Sequence, residues 1–392
     1  MSHRKRIYMD HAATSWPKPN AVLDAMDSFA RHCGATAGRG GYDSAVTSSN
    51  LIAAARHTLA TIIGAPSDDC VSFHSSGTAA LNAAIHGVLN HGILRPGDHV
   101  VTTAAEHNSV LRPLHHWQQN HNVRLTIIPT DSSGRVDADE LIAAVTDQTR
   151  LVALTSASNV TGAIQPVETV GKQLADHSAI FLCDAAQSFG TIAIDVAQCR
   201  IDLLAAPGHK SSGGPAGTGF LYVAPRIHDQ IATTIQGGTG SQSESLDMPS
   251  TMPAMFEAGN LNVPAIAGWF EALKTITPDE LARRTRHAAT IADLLHRSLR
   301  QISGITVHAH SSDLPIASIT SPDYPASDLS MILDSEFAIE TRSGLHCAAL
   351  IHDCIGTGPE GTLRISGGHT TTTQEIDSVV AAIQQIVQPA AQ

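Results

Sequence analysis

The sequence predicts an α/β protein with a mostly parallel sheet, and three observations lead to that class. From about residue 20 to residue 225, helix-like stretches alternate with short apolar runs that end in polar or glycine-rich turns, as in parallel strands joined by crossover helices. The 392 residues exceed an ordinary domain of roughly 100–200, so a second, smaller unit is expected. Hydrophobic residues make up 42% and charged residues 15%, which excludes a disordered chain and a coiled coil.

Seven apolar runs are expected to form the strands of this sheet. They are Val71–Phe73, His99–Thr102, Leu125–Ile128, Leu151–Leu154, Ala179–Cys183, Ile201–Ala205 and Phe220–Val223. The segments Ala79–Leu89 and Val167–His177 suit crossover helices. The stretch Gln236–Pro253 lacks periodicity and is expected to form a long functional loop or a domain junction. Beyond it, further helices are expected over Ala265–Ile276, Pro278–Ile302 and Thr373–Val387.

Charge and cysteine usage limit the partners and the compartment. The net charge of −12 does not favour a nucleic-acid partner, which would need a basic patch. We find neither a signal peptide nor an apolar run of the ~18 residues that a membrane helix requires, so we expect a cytoplasmic protein that does not bind a membrane. The six cysteines lack the spacing of a disulfide scaffold and are expected to be free thiols.

Reactive residues follow several of the predicted strands, where ligands bind in doubly wound sheets. The first strand is followed by the polar turn HSSGT (His74–Thr78) and a helix, an arrangement that can hold a phosphate. Asp184 follows the fifth strand, and Lys210, one of only five lysines, follows the sixth. Together they meet the needs of pyridoxal phosphate: a lysine for the Schiff base, an acid for the pyridine nitrogen and a cradle for the phosphate.

Ten short motifs occur along nearly the whole chain. They are YMDHAAT (Tyr8–Thr14), GRGGY (Gly38–Tyr42), SSGTAALN (Ser75–Asn82), AEHNSV (Ala105–Val110), SNVTGAIQPV (Ser158–Val167), DAAQS (Asp184–Ser188), GHK (Gly208–Lys210), FEAGNLN (Phe256–Asn262), RSGLHCA (Arg342–Ala348) and LRIS (Leu363–Ser366). In this order they resemble the class V aminotransferase branch of pyridoxal-phosphate enzymes and, within it, the group II cysteine desulfurases and selenocysteine lyases. The resemblance implies the PLP-dependent transferase fold, aspartate aminotransferase-like and of fold type I.

The resemblance also implies a role for particular residues. Lys210 would form the Schiff base with pyridoxal 5'-phosphate, Asp184 would bind the pyridine nitrogen and His107 would stack on the ring. The other cofactor contacts would come from Gly77, Thr78, Asn159, Gln187 and His209. Arg364, with Asn159 and Arg342, would bind the substrate, since a guanidinium suits a carboxylate. Cys347 would accept the sulfur of L-cysteine and pass it to an acceptor protein for iron–sulfur cluster assembly, with L-selenocysteine as an alternative substrate.

The resemblance further implies three parts and a homodimer. We expect an N-terminal segment (1–20) that packs on the small domain, a large cofactor-binding domain (21–255) and a small C-terminal domain (256–392) that carries the Cys347 loop. The long loop and the FEAGNLN motif would face the neighbouring subunit. Two residues depart from the family pattern, Pro207 in place of a frequent Ser and Asn260 in place of a frequent Thr.

Alternatives remain at this stage. His346, Cys347, His352 and Cys354 include metal-ligand types, but no second pair completes a metal site, and we expect none. Arg342 and His346 could instead lower the pKa of a nucleophilic Cys347 thiol.

Several alternative functions stay open, because the fold does not set the reaction. They are a selenocysteine lyase, a transaminase, an epimerase, another carbon–sulfur lyase and an idle scaffold. A transaminase has no use for a thiol. The role of Cys354 stays open.

Overall fold

The computed structural model describes residues 6–92, 97–240, 244–309 and 313–388. Residues 1–5 of the expected N-terminal segment and residues 241–243 of the expected long loop lie outside the described residues. In chain order the first part contains β1 (Ile7–Tyr8), α1 (Asn20–His32), α2 (Asp43–Ile62), β2 (Val71–His74), α3 (Gly77–Asn90), β3 (His99–Thr103), α4 (Asn108–His121), β4 (Arg124–Ile128), α5 (Ala138–Ala143), β5 (Thr149–Thr155), α6 (Val167–Gln173), β6 (Ile180–Asp184), β7 (Leu203–Pro207) and β8 (Gly219–Val223).

The second part of the chain is richer in helix. It contains α7 (Val263–Leu273), α8 (Pro278–Leu299), β9 (Thr306–His308), β10 (Ile316–Thr320), α9 (Ala326–Phe337), β11 (Ile339–Glu340), β12 (Arg342–Gly344), α10 (Ala349–Cys354), β13 (Thr362–Ser366) and α11 (Thr373–Val387). Short 3₁₀ helices cover Asp68–Cys70, Pro225–Gln230 and Ala254–Phe256. None of the helices in the described part of the chain is both long and apolar enough to cross a membrane.

The main sheet has seven strands in the order β2-β8-β7-β6-β5-β3-β4. All neighbouring strands are parallel except at β8, which is antiparallel to both β2 and β7. The predicted class, an α/β fold with a mostly parallel sheet, is therefore confirmed. The predicted strand Ile201–Ala205 corresponds to β7, which begins and ends two residues later, at Leu203 and Pro207. Asp202 does not continue the apolar run into the sheet, because its carboxylate accepts the Phe181 N–H.

The two largest apolar cores are formed by different parts of the chain. The larger core lies on both faces of the seven-stranded sheet and includes Trp269 of α7. The smaller core lies between α8, α9, α11 and a four-stranded antiparallel sheet, β12-β13-β10-β9. The boundary after residue 255 stays a prediction, and by apolar packing α7 belongs with the larger core.

The N-terminal segment connects the two cores. Its strand β1 pairs in parallel with β11, next to the smaller core. Met9 is buried in that core, whereas Ser15 donates its backbone N–H to the carbonyl oxygen of His209 in the large unit. Between these two contacts, Ala12 and Ala13 line a cavity. The segment therefore closes one side of the space between the two units.

Candidate active site

A cavity of about 210 Å³ lies where the strands of the main sheet end. Thr155, Asp184 and Pro207 are the last residues of β5, β6 and β7, and all three line it. The parallel strands bring their carboxyl ends to one edge, so residues far apart in sequence meet there. All the sequence-predicted site residues except Cys347 line this cavity: Gly77, Thr78, His107, Asn159, Asp184, Gln187, His209, Lys210, Arg342 and Arg364.

The start of α3 forms one wall of the cavity. Ser76 caps the helix by accepting the Ala79 N–H at 3.1 Å. A Cβ added at Gly77 would lie 2.9 Å from Cδ of Pro207, so glycine lets α3 approach the end of β7 closely. The hydroxyls of Thr78 and Ser109 lie 2.8 Å apart. Free N–H groups at a helix start, together with hydroxyls, suit a bound phosphate.

Several donors hold the turn that precedes Lys210. The carbonyl oxygen of His209 accepts hydrogen bonds from Thr14 Oγ1 at 3.0 Å, from Ser15 Oγ at 3.2 Å and from Lys18 Nζ at 2.6 Å. Burial lowers the pKa of Lys18 to about 8. Lys18 was not among the predicted site residues. It is one of only five lysines and comes shortly after the YMDHAAT motif, which could have indicated a role in the site.

Lys210 and Asp184 form the chemical centre of the cavity. Burial lowers the pKa of Lys210 to about 8, and the nearby Asp184 acts in the opposite direction. Burial raises the pKa of Asp184 above its ordinary value, while the Ala186 N–H, 2.9 Å from Oδ1, and Lys210 oppose that shift. A lysine of lowered pKa is a better nucleophile toward an aldehyde. A buried carboxylate is stabilised by a protonated ring nitrogen, so this pair fits the cofactor predicted from the sequence.

Polar side chains around the cavity are already held by the protein. His107 Nδ1 accepts the Ser109 N–H at 3.0 Å and so caps α4. Burial, reinforced by Lys210, lowers the pKa of His107 to about 4, so the ring is neutral and suited to stacking. Gln187 Nε2 donates to the Ala12 carbonyl oxygen at 3.0 Å, and Asn159 Nδ2 donates to that of His346 at 2.7 Å.

Two arginines reach the cavity from the small antiparallel sheet. Arg342 and Arg364 face each other across β12 and β13, where like charges repel. Arg364 is 1% exposed; one of its terminal nitrogens lies 2.5 Å from Oδ1 of Asp10, and the other lies 3.0 Å from the Asn159 carbonyl oxygen. Its Nε has no hydrogen-bond partner among the described residues. This pair of arginines is suited to an anionic ligand.

Cys347 lies beside the cavity, on the loop between β12 and α10. Its φ of 60° and that of His346, 51°, are left-handed. Nη2 of Arg342 lies 3.4 Å from Sγ of Cys347, and the carbonyl oxygen of Cys347 accepts the Asn108 N–H at 2.7 Å. The expectation that His346 also promotes the thiolate is wrong, because burial lowers the pKa of His346 to about 2 and its neutral ring pairs with the Thr362 hydroxyl.

An open groove of about 570 Å³ continues from the cavity past Cys347. It shares Thr78, His107 and Ser109 with the cavity. Apart from Cys347, its other lining residues belong to α3 and α4: Asn82, His86, Asn108, Arg112, Pro113 and His116. The Cys347 thiol therefore stands between the cavity and the protein surface.

The two departures from the family pattern lie in different places. Pro207 lines the cavity. Asn260 is exposed and lies with Arg39 and Thr239 in a separate cavity of about 240 Å³. No group of three or more His, Cys, Asp or Glu side chains within the described ranges is arranged to hold a metal. Ser76, Ser109 and Asp10 belong to motifs noted above, but the sequence could not show that their side chains meet the site.

Comparison with known proteins places this geometry in a family. The sequence profile described as Aminotransferase class-V matches residues 7–379. A protein of Methanothermobacter thermautotrophicus named "Probable cysteine desulfurase" is 32% identical over 391 residues, which covers 98% of this chain and 95% of that protein. A cysteine desulfurase structure from Thermococcus onnurineus is 28% identical with a TM-score of 0.89, over 98% of this chain and 95% of that one.

A second solved structure agrees with the first. The cysteine desulfurase CsdA of Escherichia coli is 26% identical with a TM-score of 0.87, over 97% of this chain and 94% of that one. The cradle at α3, the buried Asp184 and the Lys210 amine fit pyridoxal 5'-phosphate by their chemistry. The chain therefore belongs to the class V aminotransferase family, whose members depend on pyridoxal 5'-phosphate.

Proposed function

We propose that the protein is a pyridoxal-phosphate-dependent cysteine desulfurase that converts L-cysteine to L-alanine and takes the sulfur onto Cys347. The observation that carries the proposal is the Cys347 thiol, which lies beside the Lys210 cavity with the Arg342 guanidinium 3.4 Å from its sulfur. The names of the relatives from M. thermautotrophicus and T. onnurineus support the same reaction. A transaminase would have no use for this thiol.

Substrate binding is proposed to depend on the two arginines of the small sheet. The α-carboxylate of cysteine would lie against Arg364, whose Nε is free of protein partners within the described part of the chain. The negative charge would also offset the repulsion between Arg364 and Arg342. Asn159 is fixed by its bond to the His346 carbonyl oxygen and would limit where the substrate can lie.

Lys210 is proposed to move the proton of the substrate's α-carbon. Asp184 and Lys210 would hold pyridoxal phosphate so that its ring, with the nitrogen kept protonated by Asp184, would draw electrons from that carbon. The lowered pKa of Lys210, about 8, lets the amine both accept and return a proton near neutral pH. The neutral His107 ring keeps water from one face of the site.

Cys347 is proposed to take the sulfur directly. Its thiolate attacks the sulfur of the substrate, so that an S–S bond forms while the substrate's carbon–sulfur bond breaks. The electron pair of the broken bond stays with the carbon skeleton, which takes up a proton at Cβ and leaves as alanine. Cys347 is left as a persulfide. The Arg342 guanidinium, 3.4 Å from this sulfur, places a positive charge beside the reacting atom.

The sulfur then has to reach an acceptor. The groove of about 570 Å³ next to Cys347 gives a thiol of an acceptor protein a route to the persulfide. Its described lining contains Arg112 and no carboxylate. We place the protein in the supply of sulfur to iron–sulfur cluster assembly, and a relative from Methanosarcina thermophila is named "Cysteine desulfurase IscS". Selenocysteine is a second substrate to be tested.

A homodimer is proposed as the assembly. Tyr42, Val46 and Ile235 are exposed apolar residues, and Tyr42 and Ile235 are 58% and 67% exposed. They lie on two neighbouring segments, since Arg39 donates to the Gly238 carbonyl oxygen at 3.5 Å. Exposed apolar groups that cluster in this way favour a protein interface. The FEAGNLN motif borders the same region, with Asn260 and Arg39 in one cavity.

The dimer is tested by combining Tyr42→Glu with Ile235→Glu. We expect the wild-type protein to sediment as a dimer at micromolar concentration and the double variant to shift toward monomer, because two charges would have to be buried in the interface. Met331 is an exposed residue of α9, so Met331→Glu is the matched control and should stay dimeric. A fully active wild-type monomer would contradict the proposal.

Lys210→Ala is expected to remove the visible absorbance of the purified protein, since no amine remains to bond the cofactor aldehyde. Absorbance spectra before and after added pyridoxal phosphate measure this. Lys172→Ala is the control, because Lys172 is exposed and paired with Glu168 on α6. A wild-type protein that stays colourless with added cofactor would overturn the cofactor assignment.

Arg364→Ala is expected to lower kcat/KM for L-cysteine by more than about tenfold while leaving the cofactor absorbance intact, because a buried charge-assisted contact is lost. Alanine formation measures the rate. Arg297→Ala, on an exposed pair with Asp293, is the control and should behave as wild type. Unchanged kinetics in Arg364→Ala would refute its role in substrate binding.

Cys347→Ser is expected to keep the cofactor absorbance and lose sulfide release from L-cysteine, because serine cannot form a persulfide. Cys354→Ser, the matched control on the adjacent α10, should remain close to wild type. Mass spectrometry of the Cys347 peptide after exposure to cysteine should show one added sulfur. Full desulfuration by Cys347→Ser, or its loss only in Cys354→Ser, would show that the nucleophile was wrongly assigned.

A further inference from the structure

Glu106 is a fully buried acid for which the proposed reaction has no use. It lies in the turn between β3 and α4 and is 0% exposed. Its Oε1 accepts the Thr103 hydroxyl at 2.8 Å and the Thr155 N–H at 2.8 Å. Its Oε2 has no hydrogen-bond partner among the described residues. An apolar side chain would fill this place at lower cost unless the carboxyl has a task.

The turn that Glu106 fixes carries two parts of the site. The next residue, His107, lines the cavity. The residue after it, Asn108, donates its backbone N–H to the carbonyl oxygen of Cys347 at 2.7 Å. Thus the three consecutive residues 106–108 include both His107, which is proposed to stack on the cofactor, and Asn108, which binds the backbone of the proposed nucleophile.

Glu106 links that turn to the strand beside Asp184. Its Oε1 binds Thr155, the last residue of β5, and Thr155 is the register partner of Asp184 on β6. The distances from Asp184 to His107 and to Cys347 therefore depend on where the Glu106 carboxyl lies. Thr103, the last residue of β3, completes the link from the other side.

The surroundings of Glu106 favour its uncharged form. Burial first, and then the negative charge of Asp184, raise its pKa to about 8, while the Thr155 N–H and the Thr103 hydroxyl act in the opposite direction. Cys183, also on β6, is the other titratable group that interacts with it. No basic side chain within the described ranges forms an ion pair with Glu106.

We propose that Glu106 is a positioning residue whose contacts with Thr103 and Thr155 fix residues 106–108 and thereby set His107 and Cys347 in place relative to Asp184. The inference rests on the proposed roles of His107 and Cys347. It assigns no contact between Glu106 and the substrate or the cofactor. It states that a neutral acceptor of the same shape can replace the acid and that a small apolar residue cannot.

Four variants test this in the cofactor-bound protein. Glu106→Gln keeps the acceptor without a charge, Glu106→Ala removes it, and Thr103→Val removes one donor to it. Thr102→Val is the matched control, because Thr102 is the neighbouring buried threonine on β3 and its hydroxyl donates to the Ala153 carbonyl oxygen instead. Thermal unfolding establishes which variants are folded.

The main readout is the alkylation rate of Cys347 by iodoacetamide, followed on its peptide by mass spectrometry at one pH below 8 for all variants, where the Glu106 carboxyl keeps its proton. Loosening the turn should free the Cys347 backbone and raise the rate in Glu106→Ala and Thr103→Val by at least about fivefold, since about fivefold is the factor expected for each buried hydrogen bond that is lost. Glu106→Gln and Thr102→Val should stay within about twofold of wild type.

A second readout uses pH. The native carboxyl holds its proton up to about pH 8, whereas an ordinary glutamate of the unfolded chain loses it near 4.5. Between these values the native state binds more protons, so the stability of wild type relative to Glu106→Gln should rise as the pH falls from about 8 to 5. Melting temperatures across this range measure the difference.

Three results would overturn the proposal. The first is an alkylation rate in folded Glu106→Ala or Thr103→Val that equals that of Thr102→Val. The second is a Glu106→Gln rate as high as that of Glu106→Ala, which would mean that the charged form is needed. The third is a stability difference that does not change with pH. None of these readouts requires desulfurase activity, so a protein inactive on cysteine that gives the expected rates would refute only the proposed function.

Discussion

The contact between Arg364 and Asp10 is the interaction that joins the small antiparallel sheet to the N-terminal segment at the cavity. Arg364 comes from the small antiparallel sheet, and Asp10 belongs to the N-terminal segment. The same segment continues past Ala12, which accepts from Gln187, to Ser15, which donates to His209. A buried guanidinium is stable only when it is paired. Pairing of Arg364 with Asp10 therefore stabilises the packing of the small sheet against the N-terminal segment, which also contacts the large unit at the cavity.

Burial shifts the pKa values of three ionisable groups that line this cavity. It lowers the pKa values of Lys210 and His107 and raises that of Asp184. Charges kept out of water interact more strongly with one another. A cofactor that brings an aldehyde, a ring nitrogen and a phosphate supplies partners for groups that the protein alone leaves partly unsatisfied. Cofactor binding should for this reason stabilise the folded chain.

Cys347 combines a fixed anchor with a strained backbone. Its carbonyl oxygen is held by Asn108, and its sulfur lies near Arg342. The left-handed conformations of His346 and Cys347 cost free energy for residues with side chains. Strained backbone persists only where its surroundings hold it, and here the Asn108 N–H and the Arg342 guanidinium contact Cys347. In the proposed reaction these contacts keep the thiol beside the cavity and in the lining of the groove.

The sequence by itself determined the fold class and most of the residues around the cavity. Alternating apolar runs and helical periodicity are local properties. Asp184 and Lys210 could be recognised because Asp184 comes directly after one predicted strand and Lys210 follows the next. The tertiary structure alone decided that Arg364 pairs with Asp10, that Lys18 holds His209, that His346 is neutral and that Glu106 lies beneath the turn. These facts depend on burial and on contacts between residues up to 354 positions apart, and neither quantity can be read from local sequence, because both arise only when distant segments pack together.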